Sequence, residues 1–188
     1  RMLLSWFLYS MDEYSDIKKK VIQEIDNCAS IDFNTIKNGL KYLEAVLCET
    51  LRYHPAVPFA GRVAIRDITV PKRVCGKEYK IKKGDRLLIH CPTIARSTKF
   101  YKNPNKFDPS RFIDKGVRTF PPHVYPFFNQ NPRLCLGRDF ALMEAKIFVY
   151  HFFKNYNYEL TPNQEVLYGG GAILNMINGL KINITPRN

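Results

Sequence analysis

YPFFNQNPRLCLGRDFALME, from Tyr125 to Glu144, is the stretch on which the reading of this chain turns. It holds a cysteine, Cys135, between Arg133 and Gly137, with aromatics before it and an amphipathic helical pattern after it. A thiolate stays ionised only where positive charge or N–H donors lie near it. Arg133 stands two residues upstream, and a helix opening at Gly137 aims free backbone N–H groups and the positive dipole end back at the sulfur. Gly137 also lets a flat, bulky group approach the backbone, and Phe127 and Phe128 are placed to cover one. A cysteine so flanked suits a single axial ligand of haem iron. A buried structural cysteine at a helix start is the other reading of the same residues.

The stretch resembles the haem-binding loop of the cytochrome P450 family, Phe-x-x-Gly-x-Arg-x-Cys-x-Gly, with Phe128, Arg133, Cys135 and Gly137 in register. It departs at Asn131, where the family has glycine. Glycine there implies a positive-φ turn, and Asn is among the best other residues for one, so Asn131 is expected to keep the turn.

At 188 residues the chain is long enough for one domain with a real core. Hydrophobic content of 45% and charged content of 24% exclude a disordered chain. No apolar run reaches transmembrane length, and residues 1–12 lack a signal-peptide cleavage site. The net charge of +12 admits an anionic partner or simply a solvated surface. Lys72, Arg73, Lys77, Lys80, Lys82 and Lys83 form no helical stripe and no nucleic-acid motif, so no nucleic acid is expected. The five cysteines, Cys28, Cys48, Cys75, Cys91 and Cys135, contain no C-x-x-C pair. That spacing argues against zinc, iron–sulfur clusters and a disulfide framework, and fits a reducing compartment.

Leu3, Leu4, Phe7, Leu8 and Met11 recur at helical spacing, and Ile17, Val21, Ile22 and Ile25 mark a second helix capped by Ser15 or Asp12. A short turn of helix is expected around Phe33 to Lys37, and a third helix from Leu40 to Tyr53, closed by Pro55. On that helix Glu49 and Arg52 are three apart and share a face. Beyond Pro58 the period changes: Val63, Ile65, Ile68, Val70, Tyr79, Ile81 and Leu87 to Ile89 predict a small antiparallel sheet, with Arg62 at the start of its first strand. Residues 92–98 suit a short helix, and Tyr101 to Tyr125 a long ordered loop. The helix from Gly137 to Asn155 is expected to be largely buried through Phe140, Ala141, Met143, Glu144, Ile147, Phe148, Tyr150 and Phe152. Tyr158, Leu160, Ile182 and Ile184 then close a hairpin. Gly169-Gly170-Gly171 lacks the Lys-Ser/Thr and helix of a phosphate loop and reads as a turn.

The composite is a mainly α chain with small antiparallel β sheets, an α+β fold. The resemblance extends along it: Glu49 and Arg52 with RYHPAVP match the family's Glu-x-x-Arg helix, and FDPSRF (Phe107 to Phe112) is similar to its Pro-x-Arg-Phe motif. It implies that residues 1–188 are the C-terminal portion of a single P450 domain, from the end of the oxygen-activating helix onward. It also implies that Arg62 and Arg133 pair with haem propionates. Arg111 would join Glu49 and Arg52 in a buried structural charge cluster. The implied activity is that of a haem-thiolate monooxygenase with Cys135 on the iron of haem b, iron protoporphyrin IX. One atom of O2 would enter a lipophilic substrate, with electrons from NADPH delivered by a redox partner, a reductase or ferredoxin. RYHPAVP and NPRLCLGRDFA resemble fatty-acid hydroxylase branches, and the loops at Val57 to Gly61 and Gly171 to Leu174 would face the substrate. Residues 1–12 hold no Asp/Glu-Thr pair: the first acid is Asp12 and the first threonine Thr35. The catalytic proton-delivering residues and any membrane anchor are therefore expected upstream of Arg1, in a parent at the cytosolic face of the endoplasmic reticulum membrane. This stretch alone is expected to be inactive. The alternatives are an inactive haem-binding remnant and a basic structural or nucleic-acid-binding domain.

Overall fold

The computed structural model describes residues 1–113, 120, 121 and 123–187. Helices α1 (Met2–Glu13) and α2 (Ser15–Asp26) are separated by Tyr14 alone, which caps α2 without a side-chain hydrogen bond. The expected Ser15 or Asp12 cap is therefore replaced: both residues lie inside helices. Helix α3 (Phe33–Asn38) is capped by Asp32, whose carboxylate accepts the Thr35 N–H at 2.6 Å. Helix α4 (Lys41–Tyr53) starts from Leu40, at φ 47°, a left-handed conformation costly for a branched residue. Glu24 of α2 offsets that start by accepting the Tyr42 and Leu43 N–H groups, each at 2.8 Å.

The middle of the chain forms small ribbons. Strand β1 (Phe59–Val63) pairs antiparallel with β4 (Arg86–His90), and β2 (Ile68–Val70) with β3 (Tyr79–Ile81). The short helix α5 (Lys72–Cys75) joins β2 to β3, and α6 (Cys91–Ala95) follows β4. Arg62 lies near the end of β1 rather than its start, because the strand begins at Phe59 directly after Pro58. Of the expected 101–125 loop, residues 114–119 and 122 lie outside the described residues; the rest carries a 3-10 turn at Pro109–Arg111. Helix α7 (Arg138–Asn155) runs directly into β5 (Tyr156–Leu160), which pairs with β6 (Ile182–Pro186).

Phe7 and Met11 of α1, Val21 and Ile25 of α2, Leu43, Val46 and Leu47 of α4, and Val149 and Phe153 of α7 are buried together. Each such side chain contributes about 1.5–3 kcal/mol when withdrawn from water. Helix α7 corrects the sequence reading: its buried face is Leu142, Ala145, Lys146, Val149, Tyr150 and Phe153. Phe140, Ala141, Glu144, Ile147 and Phe148 are exposed. The helix is apolar on both sides, so composition cannot pick the inner face; the 3.6-residue period of 142, 145/146, 149 and 153 does. Lys146 is the polar member of the inner face. The residue is 2% exposed; its ammonium donates to the Ile36 carbonyl at 2.9 Å and pairs with Glu44, tying α7 to α3 and α4.

Candidate haem-binding site

The loop before α7 is built by local hydrogen bonds. Pro126–Phe128 form a 3-10 turn, and the Cys135 N–H donates to the Phe128 carbonyl at 2.8 Å, closing the loop at its neck. The Arg133 N–H donates to the Gln130 carbonyl at 2.6 Å. The positive-φ residue is Asn129 (φ 63°), not Asn131. Asn131 precedes Pro132, which disfavours helical backbone at the residue before it, and the turn is made two residues earlier. Asn129 is held there from outside: its Oδ1 accepts from the Arg62 guanidinium at 2.6 Å. This contact between β1 and the cysteine loop had no signal in the sequence.

Cys135 is exposed, whereas Cys48 and Cys91 are buried and the Cys28 thiol donates to the Ser30 carbonyl at 3.2 Å. Burial pushes the Cys48 thiol far up and the Cys91 thiol up, which keeps both protonated. Cys135 stands two residues before Gly137, the N-cap of α7, which supplies no side-chain cap. The Arg138 N–H, the first of α7, donates to the Cys135 carbonyl at 3.4 Å, so the helix starts directly at the cysteine. A Cβ at Gly137 would meet nothing within 4 Å, so the backbone there is approachable. Leu136 is fully exposed, and Phe140, in the first turn of α7, is 72% exposed. Phe128 and Phe127 are half-buried against the core, and Phe127 packs its edge on Tyr125 at 4.6 Å. They buttress the loop rather than stand free.

Two hollows adjoin this loop. Cys135 lines one of about 280 Å³ with Leu134, Leu136 and Arg138. Arg62 and Arg133 line an open one of about 800 Å³, with Val63, Ile65, Leu87 and Leu88 as its apolar walls. The Arg133 guanidinium has no partner among the described residues; Arg62 is held by Asn129 and by its own neighbour, the Gly61 carbonyl at 2.8 Å. The structure thus brings Arg62 and Arg133 to one surface and puts Cys135 on the neighbouring one. An exposed thiol, two guanidiniums and uncovered apolar walls fit a planar apolar group carrying two carboxylates.

Glu49, Arg52 and Arg111 converge behind the loop. Arg52 donates from Nε and Nη2 to the two Glu49 oxygens at 2.6 and 2.7 Å, with both side chains 0% exposed. Its remaining N–H groups go to the carbonyls of Ala95, Pro104 and Lys106. Glu49 also accepts the Asp108 N–H at 2.6 Å, and Arg111 Nε lies 3.5 Å from Glu49 Oε1 without hydrogen-bond geometry. Burial pushes the Glu49 carboxyl up, and Arg52 and Arg111 pull it back. The backbone hydrogen-bond partners of this cluster lie in the 95–111 segment, so it pins that segment to α4.

The sequence model of the family described as Cytochrome P450 matches residues 2–180. The chain belongs to the cytochrome P450 family. Cytochrome P450 704C1 of Pinus taeda is 30% identical over 205 residues, covering 98% of this chain and 39% of its own length. Human cytochrome P450 4V2 is 30% identical over 190 residues, covering 98% of this chain and 35% of its own. The solved haem domain of cytochrome P450DA superposes with a TM-score of 0.87 at 23% identity, over all of this chain and 40% of that one. That likeness establishes the fold: helices with small antiparallel sheets, covering a portion of the P450 chain. The chain spans well under half the length of these relatives.

Proposed function

We propose that this P450 chain supplies the thiolate-ligand part of a haem monooxygenase, with Cys135 as the axial ligand of iron protoporphyrin IX. The observation that supports this best is the placement of Cys135: an exposed thiol before the uncapped start of α7, beside a surface bearing Arg62 and Arg133. Arg62 and Arg133 would hold the two propionates. Leu136 and Phe140 would pack against the ring. When bound, haem supplies oxygen activation, which a thiolate ligand favours. The chain's own residues hold and orient. Glu49, Arg52 and Arg111 fix the 95–111 segment, and Asn129 links Arg62 to the cysteine loop.

Residues 1–188 act as one part of a single P450 domain, with no proton-delivering catalytic residue among them. The substrate is a lipophilic organic molecule, suggested by the exposed Val57, Phe59 and Ile173 on the two loops. Electrons come from NADPH through a reductase or ferredoxin, as in the family generally. No described helix is long and apolar enough to cross a membrane. An endoplasmic reticulum location would rest on other sequence. Titrating hemin into the purified chain tests the reading. Saturable uptake that weakens in Cys135→Ser, without substrate turnover when a reductase is added, is expected. Absence of haem uptake together with salt-sensitive nucleic-acid binding would replace it with a basic binding domain.

A further inference from the structure

Three aromatic rings from distant parts of the chain close a triangle that haem ligation does not explain, two of them buried and the third, Tyr168, 47% exposed. Trp6 of α1 stacks on His54, at the end of α4, with centroids 4.3 Å apart and planes 9° from parallel. The same indole stacks on Tyr168 at 4.5 Å. The third side is a hydrogen bond between the Tyr168 hydroxyl and His54 Nδ1 at 2.5 Å. Trp6 is 2% and His54 6% exposed, and His54 Nε2 has no hydrogen-bond partner among the described residues. Sequestering an imidazole this way is expensive, so the arrangement needs a return.

The return is in how Leu174 is held. The Trp6 indole N–H donates to the Leu174 carbonyl at 3.3 Å, and the Leu174 N–H donates to the Ala56 carbonyl at 2.9 Å. One residue of the tail is thus fixed from α1 and from the segment leaving α4 at once. The turn that carries it is closed by a bridge between Tyr168 and Met176 and by the Gly169 N–H donating to the Asn175 carbonyl at 2.6 Å. A Cβ at Gly169 would come within 1.9 Å of Asn175 Oδ1 and 3.2 Å of the Asn175 carbonyl oxygen, so the Asn175 side chain would have to move to admit one. Above this bonded base the apolar tips stay uncovered, with Val57 46% and Ile173 54% exposed. A purely structural contact would bury those side chains; this one fixes the backbone beneath them and leaves them presented.

We propose that His54, Trp6 and Tyr168 form a positioning clasp that sets the spacing between the loops at 57–61 and 171–174, and so the shape of the apolar wall offered to a substrate. This rests on the reading of those loops as substrate-facing in a P450. The clasp acts through main-chain bonds at Ala56 and Leu174, and none of its three rings need touch the substrate.

Hydrogen exchange on the intact chain tests the clasp without haem. Tyr168→Phe removes the hydroxyl and keeps the ring; His54→Gln removes the stack. Both should speed exchange at Leu174 and Ile177 about tenfold, the size of one net hydrogen bond, with the amides of α4 and α7 unchanged. Unchanged exchange at Leu174, or equal acceleration throughout the chain, would overturn the clasp. Azole binding to the haem-loaded chain tests positioning. The affinity of 4-phenylimidazole relative to imidazole should fall about fourfold in Tyr168→Phe, as expected for a displaced apolar contact of methylene size, while imidazole itself binds as before. An unchanged ratio overturns the positioning role even where exchange has loosened. Absence of haem uptake by the unsubstituted chain counts against the functional reading, and exchange then judges the clasp alone.

Discussion

Replacing Glu49 by alanine removes the one acid from a buried group with two arginines. Four contacts go with it: two to Arg52 at 2.6 and 2.7 Å, one from the Asp108 N–H at 2.6 Å, and the charge contact to Arg111 at 3.5 Å. Arg52 keeps its carbonyl partners Ala95, Pro104 and Lys106, so its charge is solvated by dipoles but has no counter-ion. Breaking a buried pair by removing one partner costs about 3–5 kcal/mol. With a slope of about 1–3 kcal/mol per molar urea, the unfolding midpoint should fall by roughly 1–5 M. Urea titration followed by fluorescence of Trp6, the chain's single tryptophan, reads this directly. Glu49→Gln keeps an acceptor for Asp108 and should fall between alanine and the parent. Arg111→Ala loses the longer contact to Glu49 and the exposed bonds to the Asn103 and Lys106 carbonyls, and should cost less than Glu49→Ala. A Glu49→Ala midpoint within experimental error of the parent, with haem uptake also unchanged, would refute the structural role.

Three further outcomes are expected. Burial, with Arg96 and Arg52 adding to it, lowers the His54 pKa to about 3 from 6.5. The unfolded chain therefore binds the proton first, and stability present above pH 6.5 falls as pH drops toward 3, by up to about 1.4 kcal/mol per unit. His54→Gln should flatten the pH 6.5 to 5 part of a urea-midpoint profile, and a profile identical to the parent's would remove His54 as its cause. Lys146→Ala strands the Ile36 carbonyl and Glu44 and should cost about 3–5 kcal/mol in the same titration, whereas Lys146→Met, which keeps the stem's packing, should cost less. Arg62→Leu frees Asn129 and removes one expected propionate partner, so hemin affinity should drop at least about tenfold; an unchanged hemin titration would mean that Arg62 serves the loop alone.

The elements were legible because their periods are strong: Leu43, Leu47 and Leu51 on α4, and the alternation of β5 and β6, leave little choice. Helix α7 shows where the signal stops. With Phe140, Ile147 and Phe148 on one side and Leu142, Val149 and Phe153 on the other, an apolar sequence marks the helix and not its buried face. Glu49 and Arg52 share a face by spacing, but Arg111 reaches them from the 109–111 turn, and only the resemblance announced that meeting. The loop's positive φ was assigned to Asn131 by analogy with a glycine and belongs to Asn129, whose side chain is fixed by a strand residue far away in sequence. The Glu24 cap on α4 and the Trp6–His54–Tyr168 triangle are likewise tertiary, formed by residues that are unremarkable in their own segments.

The most direct test of Cys135 as haem ligand is the ferrous–CO spectrum of the haem-loaded protein. The parent should show the red-shifted Soret band of a thiolate-ligated haem, and Cys135→His should retain haem but lose that band. A red-shifted band that survives in Cys135→His would place the thiolate elsewhere and contradict the account.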